Sequence, residues 1–283
     1  MYRKKPVINE KYVANYINYL REQERSKATL KKYQHDLNAL ILFLDGKELS
    51  KAELIRWKES LISQYATASV NAMLAALNGY LRYMGWVEII MKPLKIQKSL
   101  FLEEEKELTR EEYVRLVKAA QRRGNERLSL VIQTICATGI RVSELKFITV
   151  EAVQSGRTEI SNKGKRRIVF LPEGLRKLLR KYIRNQNKTA GAVFTTRTGK
   201  ILDRSNIWRD MKKLCACAGV SPKKVFPHNL RHLFARIFYS IEKDLSRLAD
   251  ILGHTNLSTT RIYTAESGLM HARQMERLKL IVT

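Results

Sequence analysis

Apolar positions recur with the period of an α-helix through the first part of the chain. From Asn9 to about Glu22, Tyr12, Val13, Tyr16, Ile17 and Leu20 share one face, and from Lys27 to Leu44 so do Leu30, Tyr33, Leu37, Leu40 and Leu44. Ser50-Lys51-Ala52-Glu53 is a capping box that opens a third helix, the serine hydroxyl taking an orphan N–H while the glutamate reaches back. Thr67 or Ser69 opens a fourth, whose stripe is Val70, Leu74, Leu77, Leu81 and Met84. This pattern predicts a four-helix domain over residues 1–90 in which nothing looks catalytic.

The stretch Met91 to Glu107 combines a proline with mixed charge and no sustained period, which predicts a linker over 91–107. Thr109-Arg110-Glu111-Glu112 is another capping box, so a second domain runs over 108–283. It is mostly helical but carries two short β signals. Thr158 to Ser161 and Arg167 to Leu171 flank a turn at Asn162-Lys163-Gly164 and read as a hairpin closed by Pro172. Val193-Phe194-Thr195 ahead of Arg197-Thr198-Gly199-Lys200 is a weaker second one. The fold class is therefore mainly α with a small β component: a helical first domain and an α+β second domain.

Charge narrows the partner. The 283 residues carry 53 Lys and Arg against 27 Asp and Glu, a net +26 with a pI near 10.1, which points to a polyanion. The excess is spread along the chain, with 17 basic and 9 acidic residues before position 100 and 36 and 18 after it. Lys27, Lys31, Lys32 and Arg82 either meet phosphates or form a solvated helix surface. No apolar run approaches the ~20 residues of a membrane span, and the first residues lack a secretory signal, so a cytoplasmic protein with no membrane partner is expected. Cys136, Cys215 and Cys217 fit neither a disulfide framework nor zinc spacing and read as helix packing residues.

The chemistry concentrates in three stretches. In PHNLRHLFA, Pro227 to Ala235, His228 and His232 have the i, i+4 spacing of a zinc helix, but Asn229 occupies the place of the glutamate that HExxH requires. His228 and Arg231, three apart, would instead share a helix face as a proton-transfer group beside a bidentate donor suited to a phosphate oxygen. In ATGIRVSEL, an apolar helix breaks at Gly139 and Arg141 follows the turn, either aimed at a ligand or on the surface. Glu144 either holds Arg141 or makes an ordinary ion pair. In LGHTNLSTTRIYT, His254 and Tyr263 stand nine positions apart, and Tyr263 alone reads as a packing aromatic rather than a nucleophile.

These stretches, with NKGKRRIVFLP between them, occur in the order and approximate spacing of the tyrosine recombinases, or phage-type integrases, which the chain resembles over its second domain. The first domain is similar to that family's core-binding domain. The family signature falls on Arg141, Lys163, His228, Arg231, His254 and Tyr263. The resemblance implies a site-specific recombinase that cleaves and rejoins DNA through a 3′-phosphotyrosine, without metal, ATP or other cofactor. Arg141 and Arg231 would clamp the phosphate, His228 would accept the Tyr263 proton, His254 would bond the phosphate, and Glu144 would support Arg141. Lys163 would protonate the leaving 5′-oxygen, with Lys165 as its rival, while Arg166 and Arg167 add phosphate-binding charge.

The short lead before the first helix makes the chain resemble the simple recombinases of the Xer and Cre types. Their assembly implies a homotetramer on two duplex DNA sites, or a heteromeric partner recombinase. The amphipathic tail from Gly268 would dock on a neighbouring subunit or fold onto its own domain. A type IB topoisomerase and an inactive DNA-binding protein of the same fold are the alternatives. His232 has no assigned role.

Overall fold

The computed structural model describes residues 6–95, 104–162, 165–196, 198–254, 256–260 and 263. The chain divides into two compact units, residues 1–98 and 99–283. Among the described residues it is mainly helical with a single two-stranded sheet. No described helix is long and apolar enough to cross a membrane.

The first unit holds α1 (Glu10–Glu22), α2 (Lys27–Leu44), α3 (Lys51–Gln64) and α4 (Thr67–Tyr83). Three starts are capped by side chains: Asn9 accepts from the Tyr12 amide, Ser26 from Thr29 and Ser50 from Glu53. The Glu53 carboxylate takes Arg56 at 2.7 Å. Helix α4 starts behind Ala66, which supplies no side-chain bond, so neither Thr67 nor Ser69 is the cap. Leu37, Leu40, Leu54, Leu77 and Tyr80 fill the core. Tyr12, expected on the inner face, is exposed, because α1 buries the stripe Val13, Tyr16, Ile17 and Leu20 and residue 12 stands at its edge. Beyond α4 the chain is strapped down: Asn78 bonds both N and O of Met91, and Asn71 does the same for Leu94.

The second unit begins with α5 (Arg110–Arg122), where Thr109 and Glu112 close a full capping box. There follow α6 (Glu126–Thr138), a 3-10 turn Val142–Phe147, α7 (Val150–Ser155), β1 (Arg157–Asn162) and β2 (Lys165–Phe170). Then come α8 (Glu173–Asn185), α9 (Arg204–Lys212), α10 (Cys215–Ala218), α11 (Pro227–Glu242), α12 (Leu245–Leu252) and α13 (Leu257–Thr260). The strands pair antiparallel with Asn162 opposite Lys165, so Asn162, expected in the turn, is the last residue of β1. The weaker hairpin is reduced among the described residues to one bridge, Thr195 with Ile201. Helix α6 is buried on several sides, and α11 packs on it. Cys136 and Cys215 pack as expected, whereas Cys217 is exposed on the short α10.

Candidate active site

Helix α6 ends where Gly139 adopts a left-handed conformation, φ +65°. A side chain there would be strained and would also clash, since a Cβ would lie 2.5 Å from the Phe234 ring. The chain leaves the cap extended through Arg141 and enters the 3-10 turn, which brings Glu144 back beneath it. Glu144 is 1% exposed and accepts from the Arg141 amide (2.7 Å), Arg141 Nη1 (3.0 Å), Arg167 Nη1 (3.1 Å) and Arg167 Nη2 (2.7 Å). Burial alone would push this carboxyl up, but the bonds from Arg167 and Arg141 outweigh it and hold its pKa below the usual range.

Arg141 keeps 36% of its side chain exposed, so a ligand can reach it. Arg167, expected to be phosphate-binding charge, has both terminal nitrogens on Glu144 and lies against Gly253, where a Cβ would meet Nη1 at 2.8 Å. Arg166 is exposed, 3.5 Å from Glu159. Lys163, the side chain of Lys165 and the tail from residue 264 lie outside the described residues.

Arg231 is, among the described residues, the bulkiest fully buried side chain. It donates from Nη1 to the Gly139 carbonyl and from Nη2 to the Leu252 carbonyl, both at 2.7 Å. These oxygens are the C-terminal ends of α6 and α12, where orphan carbonyls and helix dipoles gather negative potential, so a buried cation is stable there. Burial and the neighbouring Arg141 lower its pKa to about 10, which leaves it charged at neutral pH.

His254 follows the α12 cap Gly253, with Nε2 3.0 Å from Arg231 Nη2 and Nδ1 2.9 Å from Thr260 Oγ1. A guanidinium only donates, so Nε2 is the acceptor and the ring proton sits on Nδ1, donated to Thr260. Burial, then Arg231, Arg141 and Arg167, push the His254 pKa down to about 4.

Tyr263 is buried with Ala235, Leu248 and Leu252. Its ring stacks on His254 at 6.0 Å and 15°, and meets the edge of His232 at 4.7 Å and 81°. Burial raises the phenol pKa; the charge and hydrogen bond of Arg231 offset part of that, and the net direction is upward. His228 is solvent-accessible, and its Nε2 lies 2.9 Å from Nε2 of His232. Desolvation, then His232, Arg231, Arg141 and Arg204, push the His228 pKa down to about 4.

Arg141, His228 and Arg231 line one groove of about 700 Å³, and the start of α9 adds Arg204, Ser205 and Trp208 to it. The structure thus brings together Arg141, Glu144, His228, Arg231, His254 and Tyr263. Lys27, Lys31, Lys32 and Arg82 belong to the first unit, all exposed, with Lys32 bonded to Asp36 at 2.5 Å. Among the described residues no group of three or more His, Cys, Asp or Glu could hold a metal ion. Sequence reasoning gave His232 no role, despite its one-turn spacing from His228, and missed Glu107, Arg204 and Trp208. For Glu107 and Arg204 there was no local signal, because only tertiary packing brings them to the residues of α11.

A model of the phage integrase family matches residues 106–268, and one of the phage integrase N-terminal SAM-like domain matches residues 13–87. The chain belongs to the phage integrase family. Over 294 residues it is 27% identical to tyrosine recombinase XerA of Pyrococcus horikoshii, covering 100% of this chain and 99% of that protein. It is 30% identical over 293 residues to tyrosine recombinase XerD of Xanthomonas campestris pv. campestris, covering 90% and 88%. Its fold is similar to that of a lambda integrase tetramer bound to a Holliday junction, with a TM-score of 0.73 at 18% identity over 91% of this chain and 77% of that one. This tyrosine recombinase is an enzyme that cleaves and rejoins DNA strands.

Proposed function

We propose that Tyr263 is the nucleophile of this recombinase and that the groove beside it receives the scissile phosphodiester. The observation that carries this is the meeting of two arginines, Arg231 beside the Tyr263 side chain and Arg141 on the same groove, with the accessible His228 lining that groove too.

Attack of the Tyr263 oxygen on phosphorus forms the 3′-phosphotyrosine and breaks the bond to the 5′-oxygen. Negative charge grows on the non-bridging oxygens, which paired guanidinium donors stabilise better than a point charge does. Arg141, steadied by Glu144, and Arg231, braced by two helix ends, take that role. The Tyr263 phenol is protonated at neutral pH and must lose its proton, and His228, neutral there, accepts it. The leaving 5′-oxygen gains a proton from Lys163, with Lys165 as the rival donor. His254 fixes the tyrosine ring by stacking, and it bonds the phosphate once Nε2 releases Arg231 and gains a proton. Rejoining runs the same steps backward with another strand's 5′-hydroxyl, so the bond energy is kept in the phosphotyrosine.

The partner is duplex DNA bearing a recombination site, bound by the exposed cations of the first unit and by Arg166. The assembly is a homotetramer on two sites, or one shared with a second recombinase; the lambda integrase tetramer on a Holliday junction supports this reading. The place of action is the cytoplasm, on the nucleoid in a bacterial cell.

The test is selection of bound DNA from a random pool, followed by incubation with a nicked duplex that traps the cleaved strand. A covalent adduct at Tyr263 that is lost in Tyr263→Phe supports the assignment; an adduct that persists in Tyr263→Phe refutes it. Relaxation of an arbitrary plasmid by the chain alone would favour a topoisomerase.

A further inference from the structure

His228 and His232 stand one turn apart on α11 with their Nε2 atoms at 2.9 Å. Two imidazole nitrogens at that distance share one proton, so one ring donates and the other accepts. What faces the far nitrogen of His232 decides which. Its Nδ1 lies 3.8 Å from Oε1 of Glu107, whose side chain is 13% exposed. A carboxylate repels a lone pair and attracts an N–H, so the His232 proton is favoured on Nδ1 and Nε2 becomes the acceptor. His228 then donates through Nε2, and its Nδ1 alone stays basic.

The backbone holds Glu107 in this position from both sides. Asn229 donates to the Lys106 carbonyl at 2.7 Å, and Arg236 donates to the Leu108 carbonyl at 2.6 Å. Asn229, His232 and Arg236 follow i, i+3, i+7 spacing on one face of α11, so this helix face is built against the segment that carries Glu107. Arg236 also places Nε 3.3 Å from Oε2. Burial would raise the Glu107 carboxyl, but His232 and Arg236 outweigh it and lower its pKa, which keeps it ionised at neutral pH.

We propose that Glu107 and His232 are positioning residues that hold His228 in its Nε2–H tautomer, leaving Nδ1 as the proton acceptor of the groove. The proton taken at Nδ1 leaves an imidazolium whose Nε2–H stays bonded to His232, with the Glu107 carboxylate behind it. The other charged or titratable groups facing this chain of residues are Arg231 on α11, Arg141 after α6, Arg204 on α9, Arg236 and Tyr263. This inference rests on His228 being the proton acceptor, and the measurement separates the two.

The full chain, labelled with 15N-histidine, has five histidines, which single substitutions assign. Long-range 1H–15N spectra at pH 7 are expected to show His228 as the Nε2–H tautomer. Glu107→Gln and His232→Phe, the latter keeping a ring beside Tyr263, should each give a mixed or Nδ1–H signal. Each should also shift the acid limb of single-turnover cleavage and slow it at pH 7 by roughly tenfold, less than the ~10²–10⁴-fold that loss of the whole proton transfer would cost. His232→Gln, whose amide oxygen can accept the same proton, should restore the Nε2–H tautomer. An Nδ1–H tautomer of His228 in the unsubstituted protein, or an unchanged tautomer and pH profile in both variants, overturns the proposal. Wild-type cleavage by His228→Gln would remove the role of His228 instead, without altering the tautomer result.

Discussion

Arg231 donates from Nη1 to the carbonyl of Gly139 at 2.7 Å, tying the interior of α11 to the last turn of α6. The same guanidinium closes the end of α12 through Leu252. One side chain therefore has a structural task beside the chemical one proposed for it, and the two can be separated by comparison with Arg141, which is 36% exposed.

Arg231→Ala leaves two buried carbonyls without a donor, at roughly 1–3 kcal/mol for each. Urea unfolding should show that loss, and cleavage should vanish. Arg141→Ala should abolish cleavage with much less effect on unfolding. Equal stability of the two variants would contradict the bracing role.

Gly139→Ala forces a left-handed backbone on a side chain and drives its Cβ into Phe234. The expected cost is about 1 kcal/mol or more from the backbone alone, with further loss from the displaced ring. Arg141 follows two residues later, so single-turnover cleavage should fall by more than DNA binding does.

Glu144→Gln weakens the hold on Arg141 and Arg167. A carboxylate whose folded pKa is depressed stabilises the fold above its unfolded value near 4.3, and that contribution is lost as pH falls through the folded value. The wild-type advantage over Glu144→Gln in melting temperature should be full at pH 7 and should shrink below about pH 4. A constant difference from pH 7 to pH 3 would rule out an ionised Glu144.

His228 and His254 have folded pKa values near 4, below the unfolded value of about 6.5. Between these limits the unfolded chain binds more protons, so stability rises with pH across that window and is lost on acidification from 6.5 toward 4. Melting temperatures measured from pH 7 to pH 4 should fall for the wild type and fall less steeply for His254→Gln.

Arg204 is exposed at the start of α9 and lines the groove with Trp208. Arg204→Ala should leave unfolding unchanged, weaken DNA binding, and reduce the slope of log K against log salt by about 1. An unchanged salt slope would place this arginine off the DNA.

Local signals reached a long way here. The bounds of α2, the capping box at Thr109 and the α6 break at Gly139 follow from side-chain period, hydroxyl caps and a glycine that tolerates positive φ. Arg141, His228, Arg231, His254 and Tyr263 stood out as candidates because four short motifs stand in a specific order. Periodicity misplaced Tyr12, since a stripe's edge depends on the angle at which the neighbouring helix packs. It also overstated the second hairpin, because a bridge needs a partner that the strand signal does not specify.

The sequence by itself determined which elements form and which residue types are available for phosphate chemistry, since caps, periods and motif order are properties of neighbouring residues. Only the tertiary structure decided what each side chain is free to do. It committed Arg167 to Glu144, buried Arg231 between two helix ends, and set His232 against both His228 and Tyr263 with Glu107 beside it. The reason is that burial, hydrogen-bond partners and proton positions depend on contacts between residues far apart in the chain, and those are fixed by packing.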